Sequence, residues 1–346
     1  MTASADRDGW RSRHTGPAGV VLLAALLTTA AAAQTPRSAT EWLERASEAV
    51  GQYSFVADVI YEQGSHVEAL RLWRDASAAG GGRERLMSLS GPPREILRTP
   101  RTTTYLSPAA SPNPRQRYAN RPLRLPGPEG IDRLDQSYTL NLEGQGRVAQ
   151  RPAQRLRVIP RDDQRYGYAL WLDQRTGIVL RAEILEPDGW AVERFMVVEL
   201  ERRDALDPAL LDPVLAEDGT TFDRLTREPT ASDAGGPLHG QWSVNDLPAG
   251  FTLQADRTQA LPGHDRPARH VVFSDGIASV SVYIKQSGAG QLLRGAMSMG
   301  GVNIHARVDD GIQILVVGQV PAATVERMAN ATVRSSQPNT TGQQTE

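Results

Sequence analysis

The residues that could do chemistry in this chain are few and scattered. Five histidines follow residue 33: His66, His239, His264, His270 and His305. None belongs to a His-Glu-x-x-His pair or another local metal-ligand spacing. The chain has no Cys, which removes thiol nucleophiles, thiolate metal sites and disulfides together. His264-Asp265 is the best adjacent His–acid couple, but it falls in a Pro/Gly-rich loop. No Gly-x-Ser-x-Gly elbow occurs, and Ser298-Met299-Gly300-Gly301 lacks the flanks of one. Gly288-Ala289-Gly290 followed by Gly295 spaces its glycines wrongly for a dinucleotide fingerprint and reads as a turn. Asp162-Asp163 and Asp309-Asp310 read as hairpin loops. Arg151, Arg155, Arg157, Arg161 and Arg165 form a basic run at strand-like spacing, either a solvated face or an anion-binding strip. The expectation is a protein that is not an enzyme and carries no cofactor or metal.

The elements around these residues point to binding surfaces. Tyr166–Leu200 reads as three consecutive strands joined at Asp173-Gln174-Arg175-Thr176-Gly177 and Glu186-Pro187-Asp188-Gly189, with no His, Ser or Cys among them. Ile178, Leu180, Ala182 and Ile184 share one face of the middle strand, while Arg181 and Glu183 take the other. Ser38-Ala39-Thr40-Glu41 fits a capping box, followed by Trp42, Leu43, Ala46, Ala49 and Val50 at helical spacing. Alternating strands follow from Phe55 to Tyr61 and from His66 to Trp73. The first part is therefore expected to be a curved antiparallel sheet of eight or nine strands closed on one side by a helix. Its apolar residues Trp73, Met87, Ile96, Tyr105, Leu170, Leu172, Ile184 and Met196 either pack on that helix or line a pocket for an acyl chain. The residues alone leave both readings open.

A 346-residue chain is long enough for two cores, and 40% hydrophobic with 23% charged residues is ordinary for a globular protein. A formal charge of −2 gives no reason to expect nucleic-acid binding. Residues 1–33 read as a cleavable signal peptide. They carry a basic start (Arg7, Arg11, Arg13), the short apolar run Val20–Leu27 and the small-residue site Ala31-Ala32-Ala33. The product should be periplasmic in a Gram-negative cell. The expected organisation is α+β in two domains, 34–205 and 241–335. A linker spans 206–240 and a polar tail spans 336–346. The smaller second domain should hold an antiparallel sheet and a terminal helix whose Val325, Met328, Ala329 and Val333 form an apolar stripe.

Several stretches carry a family resemblance. In the first part they are Gly91-Pro92-Pro93-Arg94-Glu95, Arg161-Asp162 with Tyr166 and Trp171-Leu172-Asp173, and Leu185-Glu186-Pro187-Asp188-Gly189. In the second they are Trp242 with Leu247-Pro248-Ala249-Gly250-Phe251, the run Phe273–Val282, and Val316-Val317-Gly318-Gln319-Val320-Pro321. In this order the chain resembles the MucB/RseB family. The resemblance implies a lipoprotein-carrier-like (LolA-like) half-barrel followed by a partner-binding domain. It implies a negative regulator of the envelope stress response that acts on a sigma-E type sigma factor. Such a regulator binds the periplasmic domain of a single-pass anti-sigma factor and shields it from proteolysis. Lipopolysaccharide, a lipoprotein acyl chain or a misassembled envelope component would release it. Leu247, Phe251, Phe273 and Tyr283 are the partner-binding candidates. A periplasmic lipid or lipoprotein carrier is the alternative, and homo-oligomerisation is left open.

Overall fold

The computed structural model describes residues 38–77, 82–108, 125–215, 222–227, 238, 241–259, 266–287 and 292–335. The expected signal peptide, the tail, most of the Pro-rich 107–130 loop, His239 and His264-Asp265 lie outside the described residues, as do 216–221 and 228–237.

The chain opens with helix α1 (Ala39–Gln52). Its capping box is formed: the Glu41 amide donates to Ser38 Oγ at 3.1 Å, and the Ser38 amide donates to the Glu41 carboxylate at 3.4 Å. Trp42, Leu43, Ala46 and Ala49 are the buried stripe. They seat on an open, eleven-stranded antiparallel sheet with spatial order β11-β5-β4-β3-β2-β1-β10-β9-β8-β7-β6. In chain order these strands are β1 (Ser54–Gln63), β2 (His66–Asp75), β3 (Arg83–Ser88), β4 (Glu95–Arg98) and β5 (Thr103–Pro108). They continue as β6 (Tyr138–Val148), β7 (Arg151–Pro160), β8 (Gly167–Asp173), β9 (Val179–Leu185), β10 (Ala191–Arg203) and β11 (Phe222–Arg227). A one-turn helix α2 (Pro128–Ile131) precedes β6.

Strand alternation sets the two faces. Phe55, Ala57, Val59 and Tyr61 of β1 point into the core, with Leu156 and Val158 of β7 and Leu170 and Leu172 of β8. Gly177 shows how closely the helix sits. Its φ is +80°, and a Cβ there would lie 2.9 Å from the Arg45 carbonyl oxygen of α1. Only glycine combines that conformation with that approach. The segment expected to be linker also contributes β11 to this sheet, paired to β5 from Phe222↔Pro108 to Arg227↔Thr103. Its Asp-, Thr- and Arg-containing sequence, FDRLTR, gives no apolar run to betray an edge strand.

A second, six-stranded antiparallel sheet has order β13-β14-β15-β18-β17-β16. These are β13 (Thr252–Gln259), β14 (Ala268–Ser274), β15 (Ser279–Gln286), β16 (Gly295–Met299), β17 (Val302–Asp309) and β18 (Ile312–Gly318). The short strands β12 (Trp242–Val244) and β19 (Thr332–Arg334) pair with each other. Helix α3 (Ala322–Asn330) covers one face, burying Val325, Met328 and Ala329 against Val271, Val282, Ile314 and Val316. Four of these six strands follow the apolar pattern of the sequence. Edge strands β13 and β16 do not, because TLQADRTQ and GAMSM are short of buried side chains.

The two sheets keep separate apolar cores. Ile277 of the β14–β15 turn packs against the first core, and the other links between the sheets are polar. Arg165 Nη1 donates to Asp275 Oδ2 at 2.7 Å, Asn303 Nδ2 donates to Tyr166 Oη at 2.9 Å, and Thr324 Oγ1 donates to the Gln164 carbonyl at 3.0 Å.

Candidate ligand cavity and partner surface

Between α1 and the large sheet lies a cavity of about 410 Å³. Ala46, Ala49 and Val50 of the helix face Phe55, Leu72, Ile178, Val179, Ala182 and Phe195 of the sheet, with Leu125 alongside. One rim is charged. Arg74 Nε donates to the Val50 carbonyl at 2.7 Å, tying the last turn of α1 to β2. Glu84 takes Arg74 Nη1 at 3.1 Å and is also paired with Arg98. Arg83 turns away to Asp212 at 2.9 Å. The chemistry on offer is an apolar slot with guanidinium groups at its edge, which suits a chain with an anionic head.

None of the eight residues expected to line a lipid pocket borders this cavity. Ile96, Leu170, Leu172 and Ile184 are fully packed in the core beneath α1, and Tyr105 and Met196 pack partly against it. Trp73 and Met87 sit on the opposite face, where Leu206 and Leu211 cover them. Arg85 stacks over Trp73 at 4.6 Å and pairs with Glu95, which is fully buried and also accepts from the Val214 amide at 3.1 Å. The segment after β10 is thus strapped across the back of the sheet. Alternation assigns residues to faces, but the helix covers only one of them, and the sequence does not say which.

The basic run is not a strip. Arg155 and Arg157 share Glu143, Arg151 pairs with Asp173, Arg161 donates to the Asp135 carbonyl, and Arg165 is fully buried between the sheets.

Two of the four partner candidates are core. Phe251 and Phe273 are buried in the second sheet's cluster, Phe251 with the Arg165 guanidinium 5.2 Å from its ring. Leu247 packs half-buried at the edge of that cluster. Tyr283 lies on the sheet face opposite α3, stacked on His270 with ring centroids 4.3 Å apart. That face holds a half-buried row, Met297–Ile304–Val317–Ser281–Val272, one residue from each of five adjacent strands and apolar except at Ser281. Leu315 stands beside Tyr283 in the next row.

One pair escaped the sequence reading. His270 Nε2 lies 2.9 Å from Ser281 Oγ, and its Nδ1 lies 3.2 Å from Gln259 Oε1. Eleven residues and a strand turn separate the two, so only the β14–β15 register reveals them. A neutral amide stands where a carboxylate would stabilise an imidazolium, and Arg257 is 3.4 Å from the same nitrogen. The pair ties β14 to β15 across the sheet face. No group of three His, Cys, Asp or Glu able to hold a metal occurs among the described residues.

Fold and site together define a class: a two-sheet α+β protein with an apolar cavity under its first helix and a half-exposed apolar face on its second sheet. Family models match on both parts, the MucB/RseB N-terminal domain over residues 38–215 and the MucB/RseB C-terminal domain over residues 237–333. The chain belongs to the MucB/RseB family. It is 32% identical to the sigma factor AlgU regulatory protein MucB of Pseudomonas aeruginosa, over 84% of this chain and 89% of that one. It is 27% identical to the sigma-E factor regulatory protein RseB of Escherichia coli K12, over 88% and 93%. The solved Pseudomonas aeruginosa MucA/MucB complex contains a chain that superposes with a TM-score of 0.65 at 30% identity, covering 86% of this chain and 99% of that one.

Proposed function

We propose that this chain is a periplasmic negative regulator of an envelope-stress sigma factor, acting by binding the periplasmic segment of a membrane-spanning anti-sigma factor. The observation that carries the reading is likeness over 86% of the chain to MucB, a protein solved in complex with MucA. The half-buried face around Tyr283, with Val272, Ile304, Leu315 and Val317, is the anti-sigma surface in this proposal. A segment with spaced apolar anchors would bury that row and leave the polar rim outside. The cavity under α1 takes an acyl chain, with its anionic head at Arg74 and Arg98. Occupied and empty cavities then differ in affinity for the anti-sigma segment, and the coupling is reciprocal.

The test is capture from detergent-solubilised membranes with the purified chain as bait. Recovery of a single-pass anti-sigma factor, lost when a long-chain fatty acid is added, supports the reading. Recovery of lipid with no such protein turns it toward a carrier.

A further inference from the structure

Glu193, on β10, is 5% exposed and sits where the two sheets meet. Its Oε1 accepts from Gln63 Nε2 at 3.0 Å and from the backbone amide of Gly301 at 2.9 Å. Its Oε2 accepts from the Tyr61 hydroxyl at 3.0 Å and from Gln319 Nε2 at 3.4 Å. Two of these donors belong to the large sheet and two to the small one. Gln63 Nε2 also donates to the Met299 carbonyl at 3.2 Å, so the β16–β17 hairpin is gripped on both sides of Gly300. That grip needs glycine, since a Cβ at Gly300 would lie 2.2 Å from Gln63 Cγ.

All four donors are neutral. At the other end of the joint the buried carboxylate of Asp275 has Arg165 at 2.7 Å. At Glu193 no positively charged side chain supplies a bond among the described residues. The groups facing it are Tyr61 from β1, Tyr166 and Tyr168 from β8, and the mutually paired Arg94 and Glu68 beyond Tyr61. Its small-sheet partners among the described residues are a backbone amide and a carboxamide. A buried carboxylate without a cation is costly as an ion and inexpensive as an acid.

We propose that Glu193 makes the contact between the two sheets proton-dependent: the joint is tighter with the carboxyl neutral and looser with it ionised. The neutral form keeps Oε1 as acceptor for Gln63 and Gly301 and turns the Oε2–H toward the Tyr61 oxygen. The weak Gln319 bond is given up, and the Tyr61 hydroxyl hydrogen turns away from Oε2. Burial raises this carboxyl above its ordinary range. In an opened joint it is hydrated and returns toward that range. The closed state therefore binds the proton more tightly, so closure is favoured below the raised value and weakens as pH rises through it. The regulation is by envelope acidity, and it acts on the relative freedom of the two parts.

The experiment is hydrogen exchange on the purified chain across pH, with protection factors at residues 299–303 corrected for intrinsic exchange. Protection there falls as pH rises, by about tenfold for each unit by which the joint raises the carboxyl. Glu193→Gln loses this dependence at 299–303. Gln319→Leu removes a donor that only the ionised form uses, so the fall moves to higher pH. If Glu193→Gln does not unfold cooperatively, the Gln319→Leu midpoint decides. The same profile in Glu193→Gln as in the parent, protection that rises with pH, or a Gln319→Leu midpoint at lower pH would overturn the proposal.

Discussion

Replacing Asp275 by Ala should cost about 3–5 kcal/mol, the toll of stranding one partner of a buried ion pair. The magnitude follows from what the carboxylate holds. It accepts from Arg165 at 2.7 Å, from the Tyr138 hydroxyl at 3.0 Å, and from the amides of Ile277 and Ala278 at 3.0 and 2.8 Å. The Arg165 and Asp275 side chains are both 0% exposed. Arg165 keeps Asp162 at 2.9 Å, which moderates the loss. The Tyr138 hydroxyl keeps no equivalent bond among the described residues, and an unsatisfied buried hydroxyl adds about 1–3 kcal/mol. Equilibrium urea unfolding of the parent, Asp275→Ala, Arg165→Met and the double variant gives the cycle. The two single losses should exceed the double by about 2 kcal/mol or more, because each strands the other's partner. A loss below about 1 kcal/mol for Asp275→Ala, or strict additivity, would refute a polar joint held by this pair.

Three further outcomes follow from the same geometry. Gly177→Ala should destabilise by about 1–3 kcal/mol and raise exchange in α1, since the left-handed turn and the 2.9 Å approach to Arg45 both resist a Cβ; unchanged thermal unfolding would contradict it. Ala49→Phe, pointing a ring into the cavity, should weaken retention of a fluorescent fatty acid tenfold or more while far-UV circular dichroism stays that of the parent. Tyr283→Ala should weaken binding of the anti-sigma segment by about 2 kcal/mol, roughly thirtyfold, measured by calorimetry; a change within threefold would move the interface elsewhere.

The sequence carried its message unevenly, for physical reasons. Ser38 to Val50 and the Tyr166–Leu200 meander were legible because capping chemistry, period 3.6 and tight turns are local signals. Alternation along β1 gave its inward set, Phe55 to Tyr61, correctly as a face. Which face the helix takes is a global choice, so Trp73 and Met87 read like pocket residues while the strap of Leu206 and Leu211 claims them. Polar edge strands β11, β13 and β16 carry little apolar pattern and were missed. Phe251 and Phe273 read as surface anchors because a large aromatic looks the same in a core and in an interface. The joint was invisible for a stronger reason. Arg165 and Glu193 are ordinary charged residues on ordinary strands, and only the meeting of two sheets makes them buried partners.

The proposed coupling links the cavity under α1 to the surface proposed for the anti-sigma factor. The direct measurement is calorimetric titration of the purified chain with the periplasmic segment of its anti-sigma factor, without and with a saturating long-chain fatty acid. The account predicts one segment bound per chain, with affinity at least tenfold weaker when the fatty acid is present. No binding of the segment, or an affinity that the fatty acid leaves unchanged, would contradict it.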